Sequence, residues 1–120
     1  YNPVTRILEL RQMIMKFHER GIRVVMDMVY NHMMSTVNMD NIVPGYYFRS
    51  DYLGRYTNGS GCGNELASER PMVRKFIIDS CLHWIKDYKI DGIRFDLMEL
   101  LDIDTTKEIV KKTTKLDKNL

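Results

Sequence analysis

Two short runs gather side chains of the kind that carry acid–base and nucleophilic chemistry. One is Gly92-Ile93-Arg94-Phe95-Asp96, where a cation and a carboxylate alternate with apolar residues. The other is Asp27-Met28-Val29-Tyr30-Asn31-His32, an apolar stretch interrupted by a carboxylate and closed by an amide and an imidazole. In an extended strand alternate side chains share a face. Gly92, Arg94 and Asp96 then fall on one face, and Ile93, Phe95 and Leu97 on the other, which is expected to meet covering helices. Val25, Asp27, Val29 and Asn31 share a face in the same way, with His32 following. The polar groups crowd the carboxyl end of each run. In barrels and open sheets of parallel strands, that is the end where active sites are built. Each residue has a plainer reading as well. Arg94 and Asp96 fit a structural ion pair, Asp27 a buried hydrogen-bonding group that supports a site without acting in it, and His32 an ordinary loop histidine.

The elements that would position these residues follow from pattern. Ile7, Leu10, Ile14 and Phe17 recur at helical spacing, Pro3 suits a first turn, and Gly21 suits a C-terminal cap. Ile22–Tyr30 is nearly continuous in apolar, largely β-branched residues, as expected of a strand buried on both faces. Residues 33–67 lose periodicity and are rich in Asn, Gly, Ser and Tyr, a loop long enough to be functional. Tyr46, Tyr47, Tyr52 and Tyr56 could stack on sugar rings, but tyrosines in a long loop more often pin it down, so they are not counted among the site residues. A second helix is predicted with Ser68 as N-cap, Pro71 in its first turn, and Val73, Phe76, Ile77, Ser80, Trp84 and Tyr88 along one face. The strand Ile90–Leu97 comes next. Thr105-x-x-Glu108 then resembles a capping box opening a last helix through Ile109, Val110 and Leu116. Strands alternating with helices predict an α/β chain with a parallel sheet.

Composition narrows the function classes. The chain has 120 residues, 44% hydrophobic and 28% charged, with 18 basic against 16 acidic side chains. That is ordinary globular composition, and its mild, interspersed charge gives no support to nucleic-acid binding. Cys62 and Cys81 are too few for a disulfide framework and lack metal-site spacing. The longest apolar stretch carries Asp27 in its middle, so no membrane span is expected. Asn58-Gly59-Ser60 matches a glycosylation sequon and carries little weight by itself. Tyr1-Asn2-Pro3 shows neither a basic start nor an apolar core nor an initiator Met. The chain is therefore read as an excerpt of a longer protein, with a cytoplasmic location favoured.

The two runs resemble the first and second signature regions of the α-amylase superfamily of glycoside hydrolases. The likeness is closer still to its type I pullulanases. Tyr1–Ile7, Val43-Pro44-Gly45-Tyr46-Tyr47-Phe48-Arg49, Asn58-Gly59-Ser60-Gly61-Cys62-Gly63-Asn64-Glu65 and Phe95-Asp96-Leu97-Met98 all read like that family. The resemblance implies that residues 1–120 are part of a catalytic (β/α)8 TIM barrel, around its third and fourth strands with flanking helices. It implies a retaining hydrolase of α-1,6 linkages in pullulan, glycogen or starch-like α-glucans. Asp96 aligns with the catalytic nucleophile and Arg94 with the arginine that holds it. His32 aligns with the histidine that bonds the sugar, and Asp27 and Asn31 with supporting substrate-site residues. No metal ligand set is assigned. In many relatives the position of Asn31 also binds calcium, so a calcium ion is possible in the parent protein, but its partner ligands are not identifiable here.

The retaining mechanism needs a second carboxylic acid, roughly 5–5.5 Å from the first. In the family it is a Glu at the end of the next strand. Glu99 and Asp102 do not match its motif, so it is expected beyond Leu120. A complete barrel has eight strands in about 250 residues, and two strands do not close one. The chain alone is therefore expected to be inactive, and to self-associate or be partly unfolded. The alternatives are another enzyme of the superfamily (an isoamylase or a branching enzyme) and a non-catalytic α/β module that binds carbohydrate or a protein.

Overall fold

A computed structural model describes residues 2–116. In chain order they form α1 (Pro3–His18), β1 (Val25–Met28), α2 (Val37–Asp40), α3 (Pro71–Tyr88), β2 (Gly92–Phe95), a 3-10 turn (Met98–Leu100) and α4 (Ile103–Leu116). The expected alternation of helix and strand is present. β1 and β2 pair in parallel, with Val25 opposite Gly92 and Asp27 opposite Arg94.

α1 starts where its sequence predicts. The Asn2 side chain accepts the Val4 N–H at 3.0 Å, and Pro3 occupies a first-turn position that needs no N–H partner. Beyond its end, Gly21 takes φ +69°, a left-handed conformation that suits glycine. Of the predicted apolar face, Ile14 alone is fully buried, at 2% exposure, while Ile7 and Phe17 remain 40% exposed. One buried isoleucine contributes about 1.5–3 kcal/mol, so α1 is lightly anchored.

α3 is the main buried helix. Val73, Ile77, Ile78, Cys81, Ile85 and Tyr88 are buried along it, whereas Phe76, expected on that face, is exposed. Its N-cap is Arg70, with no side-chain bond, rather than Ser68. Ser68 is drawn inward instead. Its hydroxyl accepts the Asp102 N–H at 2.9 Å, and its carbonyl accepts the Thr105 hydroxyl at 2.9 Å. The cap of α4 moves correspondingly. The Asp102 carboxylate accepts the Thr105 N–H at 3.0 Å, while Glu108 pairs with Lys112 rather than closing a capping box. A buried hydroxyl takes whichever partner lies opposite, so tertiary contact overrides the local capping pattern. Leu116, expected on the packing face of α4, is 44% exposed.

Both strands are shorter than predicted, and in this chain only one face of the pair is covered. Val24, Met26 and Met28 are half-buried on the side facing the helices, while Val25, Asp27 and Val29 are exposed on the other. Among the described residues, helices cover one side of this pair only. Leu97 does not continue β2. It takes a left-handed conformation, φ 45°, that turns the chain into the 3-10 segment.

The loop over 33–67 is more structured than its sequence suggests. It contains α2, and isolated antiparallel bridges join His32 to Glu65, Phe48 to Leu66 and Ser50 to Tyr56. Phe48 and Leu66 enter the same apolar cluster as Tyr30, Val73 and Ile77. No described helix is long and apolar enough to cross a membrane.

Candidate active site

Parallel pairing decides what stands beside what. Because Asp27 and Arg94 are register partners on the uncovered face, their side chains meet. Arg94 Nη1 donates to both Asp27 oxygens, at 2.8 and 2.9 Å, and lies 3.3 Å from Asp96 Oδ1. In this chain Asp27 is an exposed, ion-paired carboxylate. It holds Arg94 more tightly than Asp96 does. Asp27 first, and then Asp96, push the Arg94 guanidinium further up from its ordinary range, so its charge is fixed.

Asp96 sits one residue beyond β2, and its backbone is tied at both ends. Its N–H donates to Met28 O at 3.0 Å, extending the ladder, and its carbonyl accepts Asn31 Nδ2 at 2.8 Å. Asn31 is buried at 1% exposure and turns its amide oxygen to His32 Nδ1. That amide orientation places a proton on His32 Nδ1 and leaves Nε2 for another partner. All five residues singled out in the sequence thus form one connected group. Asp27, Arg94 and Asp96 are joined by side chains, and Asn31 and His32 are joined to Asp96 through its carbonyl.

Sequence reasoning missed the group that holds this arrangement from behind. Segment 64–66 pairs with 31–33: Leu66 N–H donates to Asn31 O at 3.0 Å, and Met33 N–H to Asn64 O at 3.3 Å. Between them Glu65, 4% exposed, points its carboxylate under the loop. It accepts from Thr57 Oγ1 at 2.8 Å, from Arg49 Nη1 at 3.1 Å and from the Gly59 N–H. Burial works to raise the Glu65 pKa, but the Thr57, Gly59 and Arg49 donors outweigh it and hold the carboxyl below its ordinary value. Arg49 also reaches Glu69 at 2.8 Å. A Cβ at Gly59 would press on Glu65 Oε1, so a side chain there would have to displace that carboxylate. The available signal was Glu65 itself, a carboxylate directly before Leu66-Ala67 at the end of a glycine-rich stretch.

No protein-family model matches the chain. It is 48% identical over 117 residues to the pullulanase of Bacillus subtilis (strain 168), an alignment covering 96% of this chain and 16% of that protein. Isoamylase 3, chloroplastic, of Oryza sativa subsp. japonica is 41% identical over 110 residues, 82% of this chain and 14% of that protein. Among solved structures, the pullulanase of Paenibacillus barengoltzii in complex with maltohexaose and alpha-cyclodextrin superimposes with a TM-score of 0.96 at 49% identity. That superposition covers 98% of this chain and 19% of the pullulanase. The pullulanase of Anoxybacillus sp. LM18-11 complexed with maltotetraose gives 0.94 at 49% identity, over 98% of this chain and 18% of that one. The chain is a homologue of the pullulanases and isoamylases, aligning most of its own length with a short stretch of each.

Proposed function

We propose that the protein carrying this chain hydrolyses α-1,6 linkages in α-glucans with retention of configuration, and that the chain supplies part of its (β/α)8 catalytic barrel. The observation that carries this reading is the cluster of Asp27, Arg94 and Asp96 at the carboxyl ends of adjacent parallel strands, backed by Asn31 and His32. Asp96 is the nucleophile. Its carboxylate attacks the anomeric carbon, the glycosidic bond breaks, and a glycosyl–enzyme ester forms that water then hydrolyses. Arg94 keeps that carboxylate ionised and aimed, and Asp27 holds Arg94 in turn. His32 meets a sugar hydroxyl through Nε2, and Asn31 fixes both its ring and the Asp96 carbonyl. The proton for the leaving oxygen comes from a carboxylic acid outside the described residues, because neither Glu99 nor Asp102 matches the acid's motif in the family, and Asp102 is taken up in capping α4. No step is assigned to a metal.

In the protein that carries this chain, Asp96→Asn is expected to remove nearly all release of reducing sugar from pullulan while leaving maltohexaose binding within about twofold of wild type. The amide has the size of the carboxylate but is no comparable nucleophile. Wild-type turnover in that variant would overturn the assignment.

A further inference from the structure

The tyrosines of the long loop divide sharply. Tyr46 stacks at an edge on Tyr47, lies under Arg70 and accepts the Met72 N–H, and Tyr56 packs on Phe48 and bonds Asp40. These pin the loop, as expected. Tyr52 does not, for it is 92% exposed.

A single exposed aromatic is unremarkable by itself. What distinguishes Tyr52 is how firmly its turn is built. Asp51 Oδ1 accepts the N–H of Leu53 at 2.8 Å and of Arg55 at 3.0 Å, and Asp51 Oδ2 accepts Arg55 Nε at 2.9 Å. The Asp51 N–H donates to Arg55 O at 2.9 Å, and Gly54 closes the turn at φ +77°. The tip is thus ordered without using the tyrosine ring at all.

The tip also connects to the site. From His32 a series of backbone contacts runs outward. His32 bridges Glu65, Glu65 O accepts the Arg49 N–H at 2.8 Å, Arg49 O accepts the Thr57 N–H at 3.0 Å, and Ser50 bridges Tyr56. The turn bearing Tyr52 is the outer end of that series, and it follows the carboxyl end of β1, where the candidate site lies. A tyrosine carried on an ordered turn offers a broad apolar face with a polar tip, and only two side-chain torsions to fix. The apolar C–H face of a pyranose ring matches it.

We propose that Tyr52 is a carbohydrate-stacking residue that binds a glucose ring of the α-glucan chain away from the bond being cleaved. This rests on the α-glucan reading above, and the maltohexaose and maltotetraose bound to the similar pullulanases are of the same ligand class. Isothermal titration of maltohexaose into the protein that carries this chain tests it, with Tyr52→Ala and Tyr52→Phe beside wild type. Tyr52→Ala is expected to weaken Kd about threefold to tenfold, and Tyr52→Phe, which keeps the ring, to stay within about twofold. Equal affinity of Tyr52→Ala and wild type would overturn the proposal and leave the α-glucan reading standing. Failure of the wild type to bind maltohexaose would remove that reading, and the role of Tyr52 with it.

Discussion

Arg94 and Arg49 each gather two carboxylates, in opposite surroundings. Arg94 lies on the open sheet face, its side chain 59% exposed, against Asp27 at 62% and Asp96 at 35%. Arg49 lies beneath the loop at 29%, against Glu65 at 5% and Glu69 at 46%. Exposed ion pairs contribute about 0–1 kcal/mol, because water already solvates both partners. A buried pair is different. Removing one member strands the other, at about 3–5 kcal/mol. In this chain the Arg94 group is therefore expected to add little to stability. The Arg49 group holds the loop that backs Asn31 and His32. One cluster stands where chemistry is proposed, and the other keeps it in place.

The largest effect expected from breaking this contrast is in Glu65→Ala. It leaves the Arg49 guanidinium, the Thr57 hydroxyl and the Gly59 N–H without their shared acceptor. In the protein that carries this chain, denaturant unfolding is expected to lose about 1–3 kcal/mol, since Thr57 and Gly59 lose their acceptor while Arg49 keeps Glu69. A loss under about 1 kcal/mol would put Glu65 in the same class as the exposed carboxylates.

Acid sharpens the contrast next. Asp102 lies in a second enclosed group with Arg74 and Ser68. Burial works to raise its pKa, but the Thr105 hydroxyl and N–H, Ser68 and Arg74 outweigh that and hold it at about 2. The unfolded values of Asp and Glu lie near 3.9 and 4.3, so the unfolded chain binds protons first. Stability from Asp102 and Glu65 is thus nearly complete above about pH 5 and falls as pH drops through the unfolded and then the folded values, Asp102 losing its share down to about pH 2. Unfolding free energy measured between pH 6 and pH 2.5 should decline, and Asp102→Asn should flatten the decline. An undiminished slope in that variant would assign the acid sensitivity to other groups.

The smallest effect on stability should come from Arg94→Ala, which is expected to cost less than Glu65→Ala in the same denaturant measurement. If the proposed function holds, the same variant loses most of its turnover on pullulan, since Asp96 then lacks its orienting cation. A melting temperature that collapses along with turnover would show that Arg94 is structural after all.

Much of this was legible along the chain. Strand alternation put Arg94 and Asp96 on one face, and the structure keeps them there, because a period of two survives whatever packs above it. Pro3 and Pro71 marked helix starts by chemistry that acts within one turn. What was not legible was anything decided by a neighbour far away in sequence. Ser68 had the right type and place for a cap and was diverted to Asp102 and Thr105. Glu65 looked like one loop residue among many until folding brought Arg49, Thr57 and Gly59 around it. Asp27 and Arg94 could each be placed on a strand face, but the pattern cannot say that the two strands pair with these residues opposite each other.

The sequence by itself therefore determined the order of elements, the faces of the strands and the group of residues that could do chemistry. Each of those follows from backbone geometry acting over a few residues. The tertiary structure alone decided which carboxylates meet which arginine and which of them stay in water. Register between β1 and β2 places Asp27 against Arg94 across 67 residues of chain, and the folded loop removes water from Glu65. Desolvation and ion pairing depend on what surrounds a group in space, so neither is written in its immediate neighbours.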